Sequence, residues 1–158
     1  METIHLETII DADIKICFDL SRSIDLHQIS TAKTNEKAIA GITSGLVNVN
    51  DYVTWEAVHF GIKQQLTSKI SKVEPYIHFR DEQLKGAFKY FVHDHYFKEQ
   101  NGKVIMTDRF EFSSPFGIMG KLFDKLILKN YMKLFLLERN RVIKEFAETD
   151  KWKKVLNS

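Results

Sequence analysis

The feature that most constrains this chain is an order of periodicities. Six strand-like stretches follow one another between residues 36 and 113, and one stretch of helical period runs from Gly117 to about Thr149. A meander of strands with alternating side chains has one apolar face to hide. The helical stretch carries Leu122, Leu126, Tyr131, Leu134, Leu137, Val142 and Phe146 between charged residues, so it too has an apolar side that it cannot bury alone. The helix is therefore expected to lie across the concave face of the sheet, ~45 Å long if unbroken.

The strand segments are Glu36 to Ala40, Tyr52 to Phe60, Gln64 to Val73, Tyr76 to Leu84, Phe88 to Glu99 and Lys103 to Ser113. Turn chemistry separates them at Gly41, Asn48 to Asp51, Gly61, Glu74-Pro75, Lys85-Gly86 and Gln100-Asn101-Gly102, and such short joints favour antiparallel pairing. Ahead of them, Thr3 to Ile10 alternates as a further strand. Asp11-Ala12-Asp13 then offers capping carboxylates before Ile14, Cys17, Phe18 and Leu20, which share one helical face, and a second short helix is expected near Ile24 to Ile29. The fold class is α+β: seven antiparallel strands in a curved sheet around a long C-terminal helix, with two short helices after the first strand. Residues 1–158 are read as a single domain, a length that buries roughly 70% of the unfolded chain's surface.

Charge excludes one class of partner. The 23 basic and 21 acidic residues are spread along the chain, giving +2, too weak a field to argue for nucleic acid. Cys17 is the single cysteine, so neither an intramolecular disulfide nor a cysteine zinc cage is available, and a reducing, cytoplasmic setting is expected. Residues 1–10 lack the basic start and apolar run of a signal peptide, and no apolar stretch reaches the ~18 residues of a membrane span. Twelve Phe, five Tyr and two Trp supply an aromatic set suited to lining a cavity.

Several segments carry a resemblance: Asp51-Tyr52-Val53-Thr54-Trp55-Glu56-Ala57-Val58-His59-Phe60-Gly61, Asp81-Glu82-Gln83-Leu84-Lys85-Gly86, His93-Asp94-His95-Tyr96-Phe97 and Asp108-Arg109-Phe110-Glu111. With the element order, they resemble the START-like or SRPBCC superfamily, which includes plant pollen-allergen and pathogenesis-related proteins. Within it they are similar to a bacterial subgroup often labelled cyclase/dehydrase-like or cell-division-inhibitor-like. Ala87 stands where many relatives have Pro. The resemblance implies a helix-grip fold with a cavity between sheet and helix that admits lipids, polyketides or other apolar molecules, and in a minority of members cyclisation or hydrolysis there.

Strand parity assigns the inward side chains. Val53, Trp55, Ala57 and His59 share a face, as do Phe91, His93, His95 and Phe97, and Met106, Asp108, Phe110 and Phe112. The expected polar cluster is His59, His93, His95 and Asp108, with Asp81 near it. An inward His beside a carboxylate can act as acid or base, anchor a ligand's polar group, or be a satisfied buried pair. His93, His95 and Asp108 are the candidates for catalysis. Trp55, Phe79, Phe91, Phe97, Phe110 and Phe112 are expected to line the pocket. No metal and no cofactor are expected.

Ser113 to Gly120, with Pro115, Gly117 and Gly120, is a candidate hinge beside the pocket mouth, and Lys121, Lys125, Lys129 and Lys133 form a basic stripe suited to transient contact with an anionic membrane surface. The reading is a binder of a small hydrophobic molecule, acting as carrier or sensor, in preference to an enzyme. A cyclase or hydrolase and a regulatory protein-interaction domain are the alternatives.

Overall fold

The computed structural model describes residues 1–157. Its strands are β1 (Glu2–Ile10), β2 (Lys37–Gly41), β3 (Tyr52–His59), β4 (Ile62–Glu74), β5 (His78–Lys85), β6 (Tyr90–Gln100) and β7 (Lys103–Ser113). They form one curved antiparallel sheet in the order β1-β7-β6-β5-β4-β3-β2, so every neighbour except the β1–β7 pair is consecutive in sequence. Asn101 and Gly102 take φ of 54° and 75° between Gln100 and Lys103, the left-handed two-residue turn that matches strand twist. Tyr76 and Phe60, expected at strand ends, are instead turn residues with φ of 64° and 52°. Phe88 likewise lies outside β6.

Two helices follow β1. α1 (Ile14–Arg22) is capped by the Asp13 carboxylate, which accepts from the Lys15 amide at 2.7 Å, and α2 (Ile24–Ser30) by Ser23, whose hydroxyl accepts from the Leu26 amide at 3.1 Å. The inward face of α1 buries Phe18 and Cys17, and burial pushes the Cys17 thiol up to about 12, leaving it an inert core side chain.

The long helix is interrupted. α3 (Gly117–Phe123) passes through a π-helical turn at Asp124–Leu128 into α4 (Lys129–Glu148), and a short α5 (Trp152–Leu156), not foreseen from the sequence, ends the described chain. Gly120, Asp124, Leu128, Met132 and Leu136 are all buried at intervals of four, a spacing that drifts around a regular α-helix but is held to one face by the wider π turn. Leu122, Leu126, Leu134 and Leu137, expected on the buried side, are exposed. No helix among the described residues is long and apolar enough to cross a membrane.

Buried apolar side chains form three clusters. One joins α1 and the end of α4 to Phe79, Phe97 and Met106, and a second joins Phe91, Phe110 and Phe112 to Leu128, Met132 and Leu136. A third gathers Ile24, Val47, Val53, Trp55 and Ile70. The space between these clusters is where the site lies.

Candidate functional site

A cavity of about 860 Å³ separates the sheet from α4 and takes wall residues from all three clusters, including Phe79, Phe91, Leu136 and Trp55. Its volume falls in the range of small-molecule pockets, and most of its wall is apolar. The lining residues that are also exposed, Phe60, Ile62, Ala87, Phe116, Met119 and Phe123, mark the mouth between the β3–β4 turn, the β5–β6 loop and the start of the C-terminal helical run. Phe60 and Phe116 both hold positive φ, 52° and 73°, a conformation unfavourable for a bulky side chain. At the mouth the Phe60 ring lies 4.5 Å from Tyr131 and 5.9 Å from Phe123, so an aromatic set bridges turn and helix.

Polar groups meet the cavity at three places. On the sheet floor, Asp81 stands opposite His93 and Asp108 opposite His95, yet each carboxylate bonds the other histidine. His93 Nε2 donates to Asp108 at 2.7 Å and His95 Nε2 to Asp81 at 2.9 Å, a crossed pair of dyads with the imidazoles 3.7 Å apart. From α4, Asn140 donates to Asp108 at 2.6 Å, while Arg139 reaches Asp108 and His95, both at 3.5 Å. Burial opposes ionisation of Asp108, but the bond from His93, His95 Nδ1 at 3.3 Å and the nearby guanidinium hold its carboxyl well below the usual range. Burial, with His95 alongside, pushes the His93 imidazole down despite Asp108. His93 is therefore a neutral donor to an ionised carboxylate.

A second polar place lies at the β2–β3 end of the sheet. His27 Nε2 donates to Glu36 Oε1 at 3.1 Å, and the His27 ring packs 4.3 Å from Trp55. The third is His59, whose Nδ1 is 2.7 Å from the Tyr131 hydroxyl, with Phe135 edge-on at 5.8 Å. Burial lowers the His59 pKa, so the ring is held neutral in this hydrogen bond with the Tyr131 hydroxyl.

The structure brings together His93, His95, Asp81 and Asp108, but not His59. β3 is separated from β6 by β4 and β5, and His59 turns to α4 instead. Trp55, His59, Phe79, Asp81, Phe91, His93, His95 and Phe110 line the cavity. Phe97, Asp108 and Phe112 do not: Phe97 packs on Phe18, Phe112 on Phe88, and Asp108 is fully enclosed behind the two histidines. Inward parity places a side chain on the concave side but does not decide whether cavity or packed core covers it. Glu36, His27, Tyr131, Arg139 and Asn140 were missed. Arg139 and Asn140 could have been found, since they fall on the buried phase between Leu136 and Ile143.

Asp81, His93 and His95 offer three potential metal-ligand atoms within 4.8 Å of one another. Their geometry suits a hydrogen-bond network better than an ion, because both Nε2 atoms already bond carboxylates and the Arg139 guanidinium stands against His95. The candidate hinge is pinned. Asp124, buried in the π turn, accepts from the Ser114 amide at 2.9 Å and from its hydroxyl, and a Cβ on Gly120 would meet the Pro115 carbonyl oxygen at 1.9 Å.

Solved structures share this architecture at low identity. TTHA0849 from Thermus thermophilus superposes with a TM-score of 0.70 at 14% identity, over 90% of this chain and 97% of that one. Major latex-like protein 151 from Panax ginseng gives 0.69 at 14%, over 94% and 98%. The fold is the helix grip. Ara h 8.0201 shares this helix grip with a TM-score of 0.59 at 11% identity, over 90% and 97%. No family model matches the chain, and no curated protein does. At these identities the likeness speaks for the fold alone.

Proposed function

We propose that this helix-grip protein binds a small, largely hydrophobic molecule in the cavity between sheet and α4, as its carrier or sensor. The observation that carries the reading is a cavity of about 860 Å³ whose wall is mostly apolar and interrupted by a few convergent polar groups. Native mass spectrometry of gently purified protein, followed by organic extraction, tests it together with titration by a neutral apolar dye. A discrete mass lost on extraction, or saturable dye binding, supports carriage. Absence of both a bound mass and dye binding would defeat it.

The reading extends to ligand exchange at an anionic membrane surface. Around the mouth Phe116, Ile118, Met119, Leu122 and Leu126 are exposed, with exposed Lys121 and Lys125 between them, while the intervening Asp124 is buried. Apolar side chains interleaved with cations suit the headgroup region of a bilayer. Of the lysine stripe, Lys133 is also exposed, and Lys129 bonds Glu2 at 2.9 Å. Vesicles containing phosphatidylglycerol should retain the protein, and phosphatidylcholine vesicles should retain less. Equal failure to bind either removes this part of the reading.

Acid–base turnover is a second reading, supported by the His95–Asp81 dyad facing the cavity. It requires that an extracted ligand change mass on incubation with the protein and not with His95→Gln.

A further inference from the structure

Buried polar atoms without partners point to where a ligand group belongs. Among the described residues three such atoms occur: Arg22 Nε, Glu36 Oε2 and Gln83 Oε1. Gln83 does not line the cavity, whereas Arg22 and Glu36 do. The Arg22 guanidinium already has strong partners in Asp19 and the Val47 carbonyl. Glu36 is different. It is only 9% exposed, and its one side-chain bond is to His27 through Oε1. The second oxygen of this buried carboxylate, on a residue of the cavity wall, therefore has nothing donating to it, an arrangement that costs stability until a donor arrives.

The surroundings narrow that donor. Trp55 lines the same wall and packs on His27. The Glu36 charge is also felt by His59 and Tyr131, so it acts on the aromatic side of the cavity. An acceptor oxygen among aromatic faces suits a compact cation and repels an anion.

We infer that Glu36 is the headgroup subsite of the cavity, and that it takes an amphiphile whose polar end is a protonated amine, hydrogen-bonded to Oε2. This rests on the proposed binding function and names the ligand's polar chemistry. A long-chain carboxylic acid is disfavoured at this place, because it would set a second anion against Glu36. An alcohol can donate the hydrogen bond but lacks the charge, so it ranks between the two.

Displacement of the neutral dye N-phenyl-1-naphthylamine by dodecylamine, dodecanol and dodecanoic acid, in wild type and Glu36→Gln, tests the assignment. In wild type the amine should displace dye at roughly tenfold lower concentration than the acid, and Glu36→Gln should weaken the amine about tenfold or more while changing alcohol and dye less than about threefold. Glu36→Asp, which keeps the charge but withdraws it, should weaken the amine by a smaller factor and serves if the Gln variant does not fold. An amine no better than the acid in wild type, an amine affinity unmoved in Glu36→Gln, or an equal loss for all three probes would overturn the subsite. Failure of the dye itself to bind wild type would instead defeat the cavity reading on which the inference stands.

Discussion

Asp108 on β7 accepts a 2.6 Å hydrogen bond from the side-chain amide of Asn140 on α4, and the two side chains are 0% and 1% exposed. This is a tie between sheet and helix at the point where they enclose the cavity. The carboxylate is ionised and fully buried, so each of its donors is needed. Removing one leaves an under-satisfied buried charge, which costs more than the bond itself contributes. Asn140→Ala is expected to lower stability by about 2–4 kcal/mol, measured by urea unfolding at neutral pH. A loss below about 0.5 kcal/mol would mean that Arg139 and His93 suffice for Asp108.

Acid should weaken the protein in two stages. His59 and His93 are both held below the ordinary histidine range, chiefly by burial. In the unfolded chain they take up protons below about pH 6.5, while the folded chain resists, so their contribution is complete above that pH and is lost as pH falls through their depressed folded values. Burial opposes ionisation of Asp108 and Asp94, yet their donors hold both low, and their contribution disappears only below the ordinary carboxylate value of about 3.9. Tm should be flat from pH 8 to 7 and decline between about 6.5 and 5. His59→Phe should start lower, having lost the Tyr131 bond, and decline less steeply. A wild-type Tm that stays level to about pH 4.5 contradicts the account.

The joint between β7 and α3 should tolerate no side chain at Gly120. A methyl group there would sit 1.9 Å from the Pro115 carbonyl oxygen, which is backbone and cannot swing aside. Gly120→Ala must therefore move the turn that carries Ser114, breaking its bonds to Asp124. The expected cost is about 1–3 kcal/mol despite the better helix propensity of Ala. Hydrogen exchange at the Ser114 amide checks it: protection should fall in the variant, and unchanged protection would show that the joint has room.

Much of this was legible before the fold was known, for a physical reason. Side chains on a strand alternate strictly, so parity put Trp55, His93, His95 and Phe110 on the concave side. The Asp13 cap and the Asn101-Gly102 turn were equally local. Glu36 was not legible, because its role depends on His27, which arrives from α2 rather than from a neighbouring strand. Leu122 and Leu126 misled for another reason: a uniform helical period was read across Asp124–Leu128, where the π turn changes the phase. The exposed leucines that result are part of the surface proposed to meet a membrane.

The cavity reading and a solid-core reading give opposite results for a single added ring. Ser68 lies on β4, 7% exposed, between Val53 on one side and Gln83 on the other, and it lines the cavity. If that space is open, Ser68→Phe places its ring in the void and gains apolar contact, so Tm should change by only a few degrees while dye affinity falls about tenfold or more. If the space were closed by repacking of Trp55 and Phe79, the ring would overpack the interior and cost about 1–3 kcal/mol, with no dye affinity to lose. Thermal melts and dye titrations of the same preparation separate the two. A stable variant that has lost dye binding is the outcome that ties the cavity to binding, because nothing else in the fold would have been disturbed.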